Sequence, residues 1–417
     1  MPYRKNATRC GPSRASNSTS ELWSSICRLT RARRGLICLI AIVACTLGPA
    51  RAQQQAKASD QLKYVIIVTR HGVRSPTWTL ERLNQYSAAP WPDWPVPPGH
   101  LTAHGRRLMK IMGGFYRDYF GSKGFLGEAG CARTYFRADS DQRTLETARA
   151  LAEGILSSCE VPIHSVTDGT VDPLFDPIEA GVAKPDLQLG LAAVSGRMGP
   201  QFAAVVDAHS SAFDELNRVL NGNGKAAISI FQEPMTLTAN QTEVTMSGPL
   251  RLASTFTENF LLEYTNGMSG PEFGWGRLSI SNLRQLMALH TTYADLMRRT
   301  PYLARARGSN LLNYILRSLE QAADGKPVKG ASAAPDTQLV VISGHDTNLS
   351  NLSGMLSISW LLPSYQQDDV PPGGALIFSL WQSPDDGKHS VRVQFVARTL
   401  DQMHEATTLS LSPPSNC

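Results

Sequence analysis

The feature that most constrains this chain is an apolar, β-branched run that ends abruptly in charged residues. Residues 63–69 read KYVIIVT, and the next eight read RHGVRSPT, with a proline that stops the run. Such a run predicts a short buried strand. Arg70, His71 and Arg74 then lie at its carboxyl end, where α/β proteins place ligands. Gly72 is expected to leave room for a ligand near the backbone.

The residue types in this cluster match the chemistry of a phosphate site. Two guanidinium groups beside one imidazole suit a tetrahedral oxyanion, because each can donate two parallel hydrogen bonds to it. Like charges at the end of a buried strand repel one another unless an anion lies between them. The cluster predicts an anion site, and the alternative is an ordinary solvated strand end.

A second apolar run ends in a comparable way. Residues 339–343, LVVIS, predict a strand, and GHDTN follows it. His345 and Asp346 then lie at the end of that strand, where an acid beside an imidazole provides a proton donor and a further phosphate ligand. Alone, such a pair is more often a hydrogen-bonded loop pair. Its matching placement after a second strand favours a shared site.

A third segment, residues 137–148, places Arg143 at the start of a predicted helix. It reads RADSDQRTLETA, and a helix N-terminus attracts anions. The alternative is a surface arginine in a capping segment. Cys131 and Cys159 enclose the segment, either as a disulfide in an oxidising compartment or as two unrelated core cysteines. No CxxC or HExxH spacing occurs, so these patterns predict no metal site.

The first 52 residues predict a secretion leader. Arginines precede the apolar run LICLIAIVACTLG at residues 36–48, and ARA at residues 50–52 forms a small-x-small cleavage site. The run is short for a membrane span, so we expect a periplasmic or secreted protein without a stable span after cleavage. An uncleaved N-terminal anchor and lipid attachment at Cys45 are the alternatives.

Composition excludes other classes of protein. Apolar residues make up 42% of the chain and charged residues 18%, which is typical of a globular protein. The net charge of +5 arises in the leader, because residues 53–417 hold 31 Lys and Arg against 34 Asp and Glu. A slightly acidic mature chain predicts no nucleic-acid partner.

Strands near both ends of the chain and a helical middle predict an α/β domain interrupted by an α-rich insertion. Residues 186–300 are mostly helical in pattern, and residues 375–381 and 391–397 flank a turn signal that predicts a hairpin. Prolines make residues 87–100 an irregular loop, and we expect a surface loop at 321–337. Four segments have the clearest helical spacing of apolar residues: 101–120, 144–157, 250–264 and 283–299.

RHGVRSPT and GHDTN together resemble the histidine acid phosphatases, the larger branch of the histidine phosphatase superfamily. The pair is highly specific in this order, and the likeness extends over residues 62–410. Further segments resemble the bacterial periplasmic subgroup, which contains phytases, acid phosphatases and glucose-1-phosphatases: LTAHGRRLM, ADSDQRT, DPLFDP, GWGR and PPGGALIF.

The resemblance implies a phosphoglycerate-mutase-like α/β sandwich with an inserted α-rich domain. Residues 53–175 and 290–417 would form the α/β catalytic domain. Residues 176–289 would form the insertion that caps the active site, and residues 1–52 would be the signal peptide and leader.

The resemblance also implies roles for the candidate residues. His71 would be the nucleophile that accepts the phosphoryl group, and Asp346 would protonate the leaving oxygen. Four residues would bind phosphate: Arg70, Arg74, Arg143 and His345. The substrate would be a small phosphomonoester, hydrolysed through a phosphohistidine intermediate without a cofactor.

The charges around the site predict an acid optimum. Asp346 must hold a proton when the leaving group departs, whereas nearby arginines favour its ionised form and lower its pKa. The same arginines favour a neutral imidazole, so His71 stays nucleophilic in acid. We expect activity to fall as Asp346 ionises.

Substrate preference rests on weaker signals. Four positions resemble substrate-side residues of the periplasmic phytases: Thr77, Glu258, His290 and Arg307. Taken alone, each of these positions is more often structural, and Glu258 and His290 could be polar positions on helix faces. Trp78 stands where those phytases often have a cation, which weakens the expectation of strong phytase activity.

Two other functions remain as alternatives. A phosphoryl-transferring mutase of the same superfamily is disfavoured by the predicted export and by Asp346, since mutases act on cytosolic sugars and usually use a glutamate donor. A non-catalytic phosphate-ligand binding protein is disfavoured because His71 and Asp346 are both present. The sequence makes no prediction of oligomeric state.

Overall fold

The computed structural model of the protein describes residues 59–127, 130–167, 169–199 and 201–409. The expected leader and Cys45 lie outside these residues. The strands are β1 (Gln61–Arg70), β2 (Thr134–Ala138), β3 (Ile163–His164), β4 (Thr236–Ala239), β5 (Val244–Ser247), β6 (Leu339–Gly344), β7 (Ala375–Gln382) and β8 (His389–Val396). The α-helices are α1 (Leu80–Leu83), α2 (Ala103–Gly121), α3 (Gln142–Ile155), α4 (Leu187–Met198), α5 (Ala203–Ala208), α6 (Ser210–Asn221), α7 (Pro249–Thr265), α8 (Ile280–Met297), α9 (Pro301–Asp324), α10 (Asp346–Leu356) and α11 (Leu400–His404).

Six of the strands form one mixed sheet in the order β3-β2-β6-β1-β7-β8. The first four in that order are parallel, whereas β7 is antiparallel to both β1 and β8. Within the parallel part, Arg70 of β1 is opposite Gly344 of β6. The carboxyl ends of these two central strands therefore lie side by side, which is where an α/β sheet binds its ligand.

β1 is apolar along most of its length because both of its faces are covered. Ile66 and Val68 pack on one face with residues of α9 and α10. Val65 and Ile67 pack on the other face with residues of α2 and α3. Burial of each such side chain contributes roughly 2 kcal/mol to the hydrophobic stabilisation. Helices on both faces of a mixed sheet confirm the predicted α/β sandwich.

A further cluster of buried apolar residues joins α6, α7 and α8. This part of the chain also contains the antiparallel hairpin β4-β5, so the prediction of mostly helical structure missed two strands. Strands of four residues are too short for their alternation to stand out from the helical pattern around them. The division into a catalytic domain and an insertion at 176–289 stays a prediction, and α8 continues through its 289–290 boundary.

The main predicted elements are confirmed, with ends that shift by a few residues. The four clearest helical segments correspond to α2, α3, α7 and α8, and the predicted C-terminal hairpin is β7-β8. The prediction of a surface loop at 321–337 was wrong about where the loop starts, because α9 extends to Asp324. Gly325 ends this helix in the left-handed conformation, with φ of 65°, which a glycine adopts without a steric penalty.

Cys131 and Cys159 form a disulfide, which confirms one of the two predicted alternatives. Cys131 precedes β2 and Cys159 follows α3, so the bridge joins the two ends of the unit that carries Arg143. The bridge constrains the unfolded chain and thereby stabilises this unit.

Candidate active site

The two sequence motifs meet at the carboxyl ends of β1 and β6. His71 follows β1, and its backbone N–H donates to the carbonyl oxygen of Gly344 at 2.9 Å. His345 follows β6, and the ring centres of His71 and His345 are 5.6 Å apart in an edge-on arrangement. The parallel pairing of the two strands thus brings together residues that are far apart in the sequence.

The buried ring of His71 is held in one tautomer. Its Nδ1 lies 2.8 Å from the carbonyl oxygen of Gly72, and a carbonyl can only accept, so Nδ1 carries the hydrogen. In the neutral ring Nε2 then keeps its lone pair. Burial and the charges of Arg70, Arg143 and Arg74 hold the pKa of His71 well below its ordinary value of 6.5. The imidazole therefore stays neutral to a lower pH than an ordinary histidine does, and its role as nucleophile stays a prediction.

Gly72 serves helix packing. A Cβ at this position would lie 2.8 Å from Cγ of Met109 and 3.1 Å from the carbonyl oxygen of Gly105, both in α2. Its N–H donates to Oγ1 of Thr147 in α3 at 2.9 Å. The expectation that the missing side chain makes room for a ligand was wrong, because α2 fills that space.

Arg70 and Arg74 are buried and converge on Glu258 of α7. Its Oε1 accepts a hydrogen bond from Nη2 of Arg70 and lies 3.3 Å from Nη2 of Arg74. Burial alone would raise the pKa of Glu258, but Arg74 and Arg70 lower it to about 2. Nη1 of Arg70 donates to the carbonyl oxygen of Val370 at 2.5 Å. Among the described residues, neither Nε of Arg70 nor Nε of Arg74 has a hydrogen-bond partner.

Arg143 lies at the start of α3, beside the second motif. Its Nη2 pairs with Oδ2 of Asp141 at 2.6 Å. The same oxygen lies 3.4 Å from Nε2 of His345, which is 2.8 Å from Oδ2 of Asp139. The two aspartates therefore orient Arg143 and His345. We call Arg70, Arg74 and Arg143 around His71 the phosphate cage.

Asp139, Asp141 and His345 are also a group that could hold a cation. One ligand atom of each lies within 4.8 Å of those of the other two. The same atoms already pair with one another, and Arg143 pairs with Asp141, so its charge opposes a bound cation. The absence of a metal requirement stays a prediction.

Asp346 begins α10 and faces an arginine that the sequence analysis did not identify. Its Oδ2 accepts from Nη1 of Arg298, and its Oδ1 accepts from the N–H of Thr347 at 2.9 Å. Nε2 of His290 lies 4.0 Å from Oδ2. Burial alone would raise the pKa of Asp346, but Arg298, Arg70 and His290 hold it well below 3.8.

Arg298 was missed because it stands next to a second arginine. Arg299 points elsewhere, with Nη2 3.1 Å from Oδ2 of Asp368 and Nη1 donating to Oγ of Ser353 at 2.5 Å. Both arginines follow α8, and no property of the sequence distinguishes them. Only the orientation of α8 against the sheet determines which one reaches Asp346.

Two of the four substrate-side candidates lie in the same cluster of charges. Glu258 contacts the phosphate cage, and His290 lies beside Asp346. Nδ1 of His290 is 3.1 Å from Oγ of Ser254, and burial lowers the pKa of the ring even though Glu258 acts to raise it. Their surroundings are thus those of site residues and not of solvated helix faces.

The other two candidates lie at the edge of the site. Arg307 and Thr347 line one cavity of about 360 Å³, which places Arg307 on the α10 side. Thr77 is exposed, and a Cβ on Gly99 would lie 3.7 Å from Cγ2 of Thr77 and 3.6 Å from Nη1 of Arg143. Their role in contacting a substrate stays a prediction.

Trp78 has a cation as its neighbour. The guanidinium carbon of Arg82 lies 3.5 Å from the centre of the Trp78 ring, a cation–π contact. The ring also packs edge-on against Phe256 of α7 at 6.0 Å. A positive charge therefore lies next to position 78, and the effect of Trp78 on phytase activity stays a prediction.

The sandwich and the site define a class of protein that handles phosphoryl groups, since an unprotonated histidine lies within buried arginines beside an acid. The family model of the histidine phosphatase superfamily (branch 2) matches residues 61–396, and the chain belongs to this family. It is a histidine acid phosphatase, whose reaction class is the hydrolysis of phosphomonoesters.

Related proteins agree with this assignment. The chain is 36% identical to phytase AppA of Escherichia coli (strain K12) over 88% of both chains. It is 26% identical to glucose-1-phosphatase of Providencia rettgeri, over 91% of this chain and 90% of the relative. The solved Hafnia alvei phytase in complex with myo-inositol hexakis sulphate is 34% identical, with a TM-score of 0.77 over 87% of this chain and 90% of that one.

Proposed function

We propose that the enzyme transfers the phosphoryl group to Nε2 of His71 and then to water. The carrying observation is the hydrogen bond from Nδ1 of His71 to Gly72, which leaves Nε2 as the free nitrogen in a buried ring. In the first step Nε2 bonds to phosphorus, the phosphorus–oxygen ester bond breaks, and Asp346 gives its proton to the leaving oxygen. In the second step water attacks phosphorus, the nitrogen–phosphorus bond breaks, and Asp346 takes the proton of the water.

The phosphate cage supplies the positive charge for both steps. Buried guanidinium groups interact strongly with the charge that develops on a transferring phosphoryl group, because little water screens them. Glu258 holds two of these arginines through Oε1. A phosphate that enters the cage must therefore compete with this carboxylate.

Trapping the intermediate tests the proposal. A rapid alkaline quench of enzyme mixed with ³²P-labelled phosphomonoester should leave label on His71, because a phosphohistidine bond survives alkali. Label on another residue, or turnover without label, contradicts the assignment. Turnover of p-nitrophenyl phosphate should continue in EDTA, whereas a loss on chelation would indicate a metal enzyme.

For the substrate, we propose phosphorylated polyols such as phytate or sugar phosphates. The support comes from relatives named as phytase and glucose-1-phosphatase, and from the position of Arg307 and Thr77 at the edge of the site. Rates on phytate, glucose 1-phosphate and simple esters should separate these substrates. Transfer to a second sugar in place of release as phosphate would favour the mutase alternative.

We propose that the enzyme acts outside the cytoplasm. The Cys131–Cys159 disulfide supports this location, because disulfides persist in oxidising compartments. Within the described ranges, the structure has no helix of the length and apolar character that a membrane crossing requires. Cell fractionation with antibody detection should recover the protein with a periplasmic marker or in the medium.

A further inference from the structure

Arg298 makes the most direct contact with the proposed proton donor. It is the residue after α8, and its side chain is only 17% exposed, beside an Asp346 side chain that is 12% exposed. Nη1 of Arg298 donates to Oδ2 of Asp346. A charge-assisted pair in such a poorly solvated place is much stronger than one at the surface.

The other groups around Asp346 complete the balance of charge. Oδ1 accepts the N–H of Thr347, in the first turn of α10, where a helix favours a negative charge. Titratable and charged groups from several elements surround the carboxyl of Asp346. Glu258 comes from α7, His290 from α8 and Arg298 from the position after α8. Arg70 ends β1, Arg74 lies in the loop after β1, and Asp369 lies in the loop after α10. Arg298 has the largest Coulombic effect on Asp346 among these groups.

We propose that Arg298 is a positioning residue for Asp346: it holds Oδ2 of the carboxylate and so determines the pH range in which Asp346 can protonate a leaving group. This inference rests on the proposed function. The pairing with Arg298 stabilises the ionised carboxylate of Asp346, which favours the second step, in which Asp346 accepts a proton from water. It opposes the first step, which requires the protonated acid, and therefore confines the turnover of poor leaving groups to acid.

The pH dependence of turnover tests the proposal. In Arg298→Gln the fall in kcat/KM on the alkaline side should move up by about one pH unit or more for an alkyl ester such as glycerol 2-phosphate, because a neighbouring arginine lowers a carboxyl pKa by about 1–3 units. p-Nitrophenyl phosphate should show a smaller shift, since a phenolate leaves with little protonation. Arg298→Lys keeps the charge and should keep the profile close to that of the wild type.

Arg299→Gln is the matched control, because it removes the adjacent arginine that pairs with Asp368. An unchanged alkyl-ester profile in Arg298→Gln, or an equal shift in Arg299→Gln, overturns the proposal.

A second measurement needs neither turnover nor a folded Arg298→Gln. In wild-type enzyme labelled with ¹³C at the aspartate carboxyl carbons, the resonance that disappears in Asp346→Asn should titrate below the ordinary aspartate range. Titration at or above that range overturns the proposal. A wild type that turns over no ester at any pH refutes the proposed function, whereas this titration still judges the Arg298–Asp346 pair.

Discussion

Nδ1 of His71 donates a hydrogen bond to the carbonyl oxygen of Gly72, its neighbour in the chain, at 2.8 Å. This contact sets the tautomer of the ring without any other side chain, because the acceptor is the local backbone. The position of Nε2 then follows from the end of β1, which the sheet holds against β6. The tautomer of His71 therefore does not depend on a hydrogen bond from another side chain.

His71→Ala should abolish turnover, because it removes the imidazole that the arginines of the phosphate cage surround. Release of p-nitrophenol from p-nitrophenyl phosphate measures this. His164→Ala is a suitable control, since His164 stacks on Tyr135 in β2. Substantial residual turnover in His71→Ala removes this residue as the nucleophile.

Asp346→Asn should slow alkyl esters by about 10²-fold or more, which is the usual contribution of a proton donor. Aryl esters should lose less, because their leaving groups depart as stable anions. The ratio of kcat/KM values for glycerol 2-phosphate and p-nitrophenyl phosphate reports the difference. Equal losses on both esters argue against the proton-donor role.

Glu258→Gln should strengthen the binding of inorganic phosphate by about tenfold, equivalent to about 1.4 kcal/mol. The neutral amide competes less well than a carboxylate for Arg70 and Arg74, so a phosphate enters the cage at lower cost. The competitive inhibition constant of phosphate measures the effect. Glu243→Gln, which alters a partner of Arg307 instead, should leave the constant unchanged. Weaker phosphate binding in Glu258→Gln contradicts the competition.

In the wild type, the buried carboxyl of Asp369 should lower the free energy of unfolding near neutral pH, and Asp369→Asn should abolish this decrease. Within the described part of the chain, Oδ1 and Oδ2 of Asp369 lack a well-formed hydrogen bond, although Val370 N–H is near. Burial raises the pKa of this carboxyl from 3.8 to about 7, even though Arg70 acts to lower it. Since the native state holds this proton more tightly than the unfolded chain, the stabilisation is fully present below pH 3.8 and is lost as the pH rises through about 7.

The size of this loss is about 4 kcal/mol at most. Urea unfolding between about pH 4 and pH 8 should therefore give a flatter free energy of unfolding for Asp369→Asn than for the wild type. Asp368→Asn alters the neighbouring acid, which pairs with Arg299, and serves as the control. Parallel pH profiles for wild type and Asp369→Asn contradict the assignment of this loss to Asp369.

Replacing both Cys131 and Cys159 by serine should lower the free energy of unfolding by about 3.5 kcal/mol, from the loop entropy of a bridge that spans 28 residues. Urea unfolding of the double variant measures the loss. The double variant keeps the site residues of α3, so turnover should persist at low temperature, where the variant stays folded. A double variant as stable as the wild type would mean that the bridge does not constrain the unfolded chain.

Much of the fold and the centre of the site could be predicted from the sequence. Local patterns located β1, β6 and the main helices, because burial on both faces of a sheet or on one face of a helix imposes a period on the residues. The motifs at the ends of two strands placed His71 and Asp346 together, since parallel neighbours end at one edge. The hairpin β4-β5 was missed, because its strands of four residues are too short to show a period.

The amino-acid sequence by itself determined the α/β class and placed the motifs of His71 and Asp346 at the ends of β1 and β6, because hydrophobic period and motif position are local properties of the chain. Only the tertiary structure decided which arginine pairs with Asp346, that α2 fills the space beside Gly72, and that Glu258 bridges two arginines of the cage. Those contacts depend on how α2, α7 and α8 are rotated and packed against their neighbours. That packing is settled by the whole core and is not encoded at any single position.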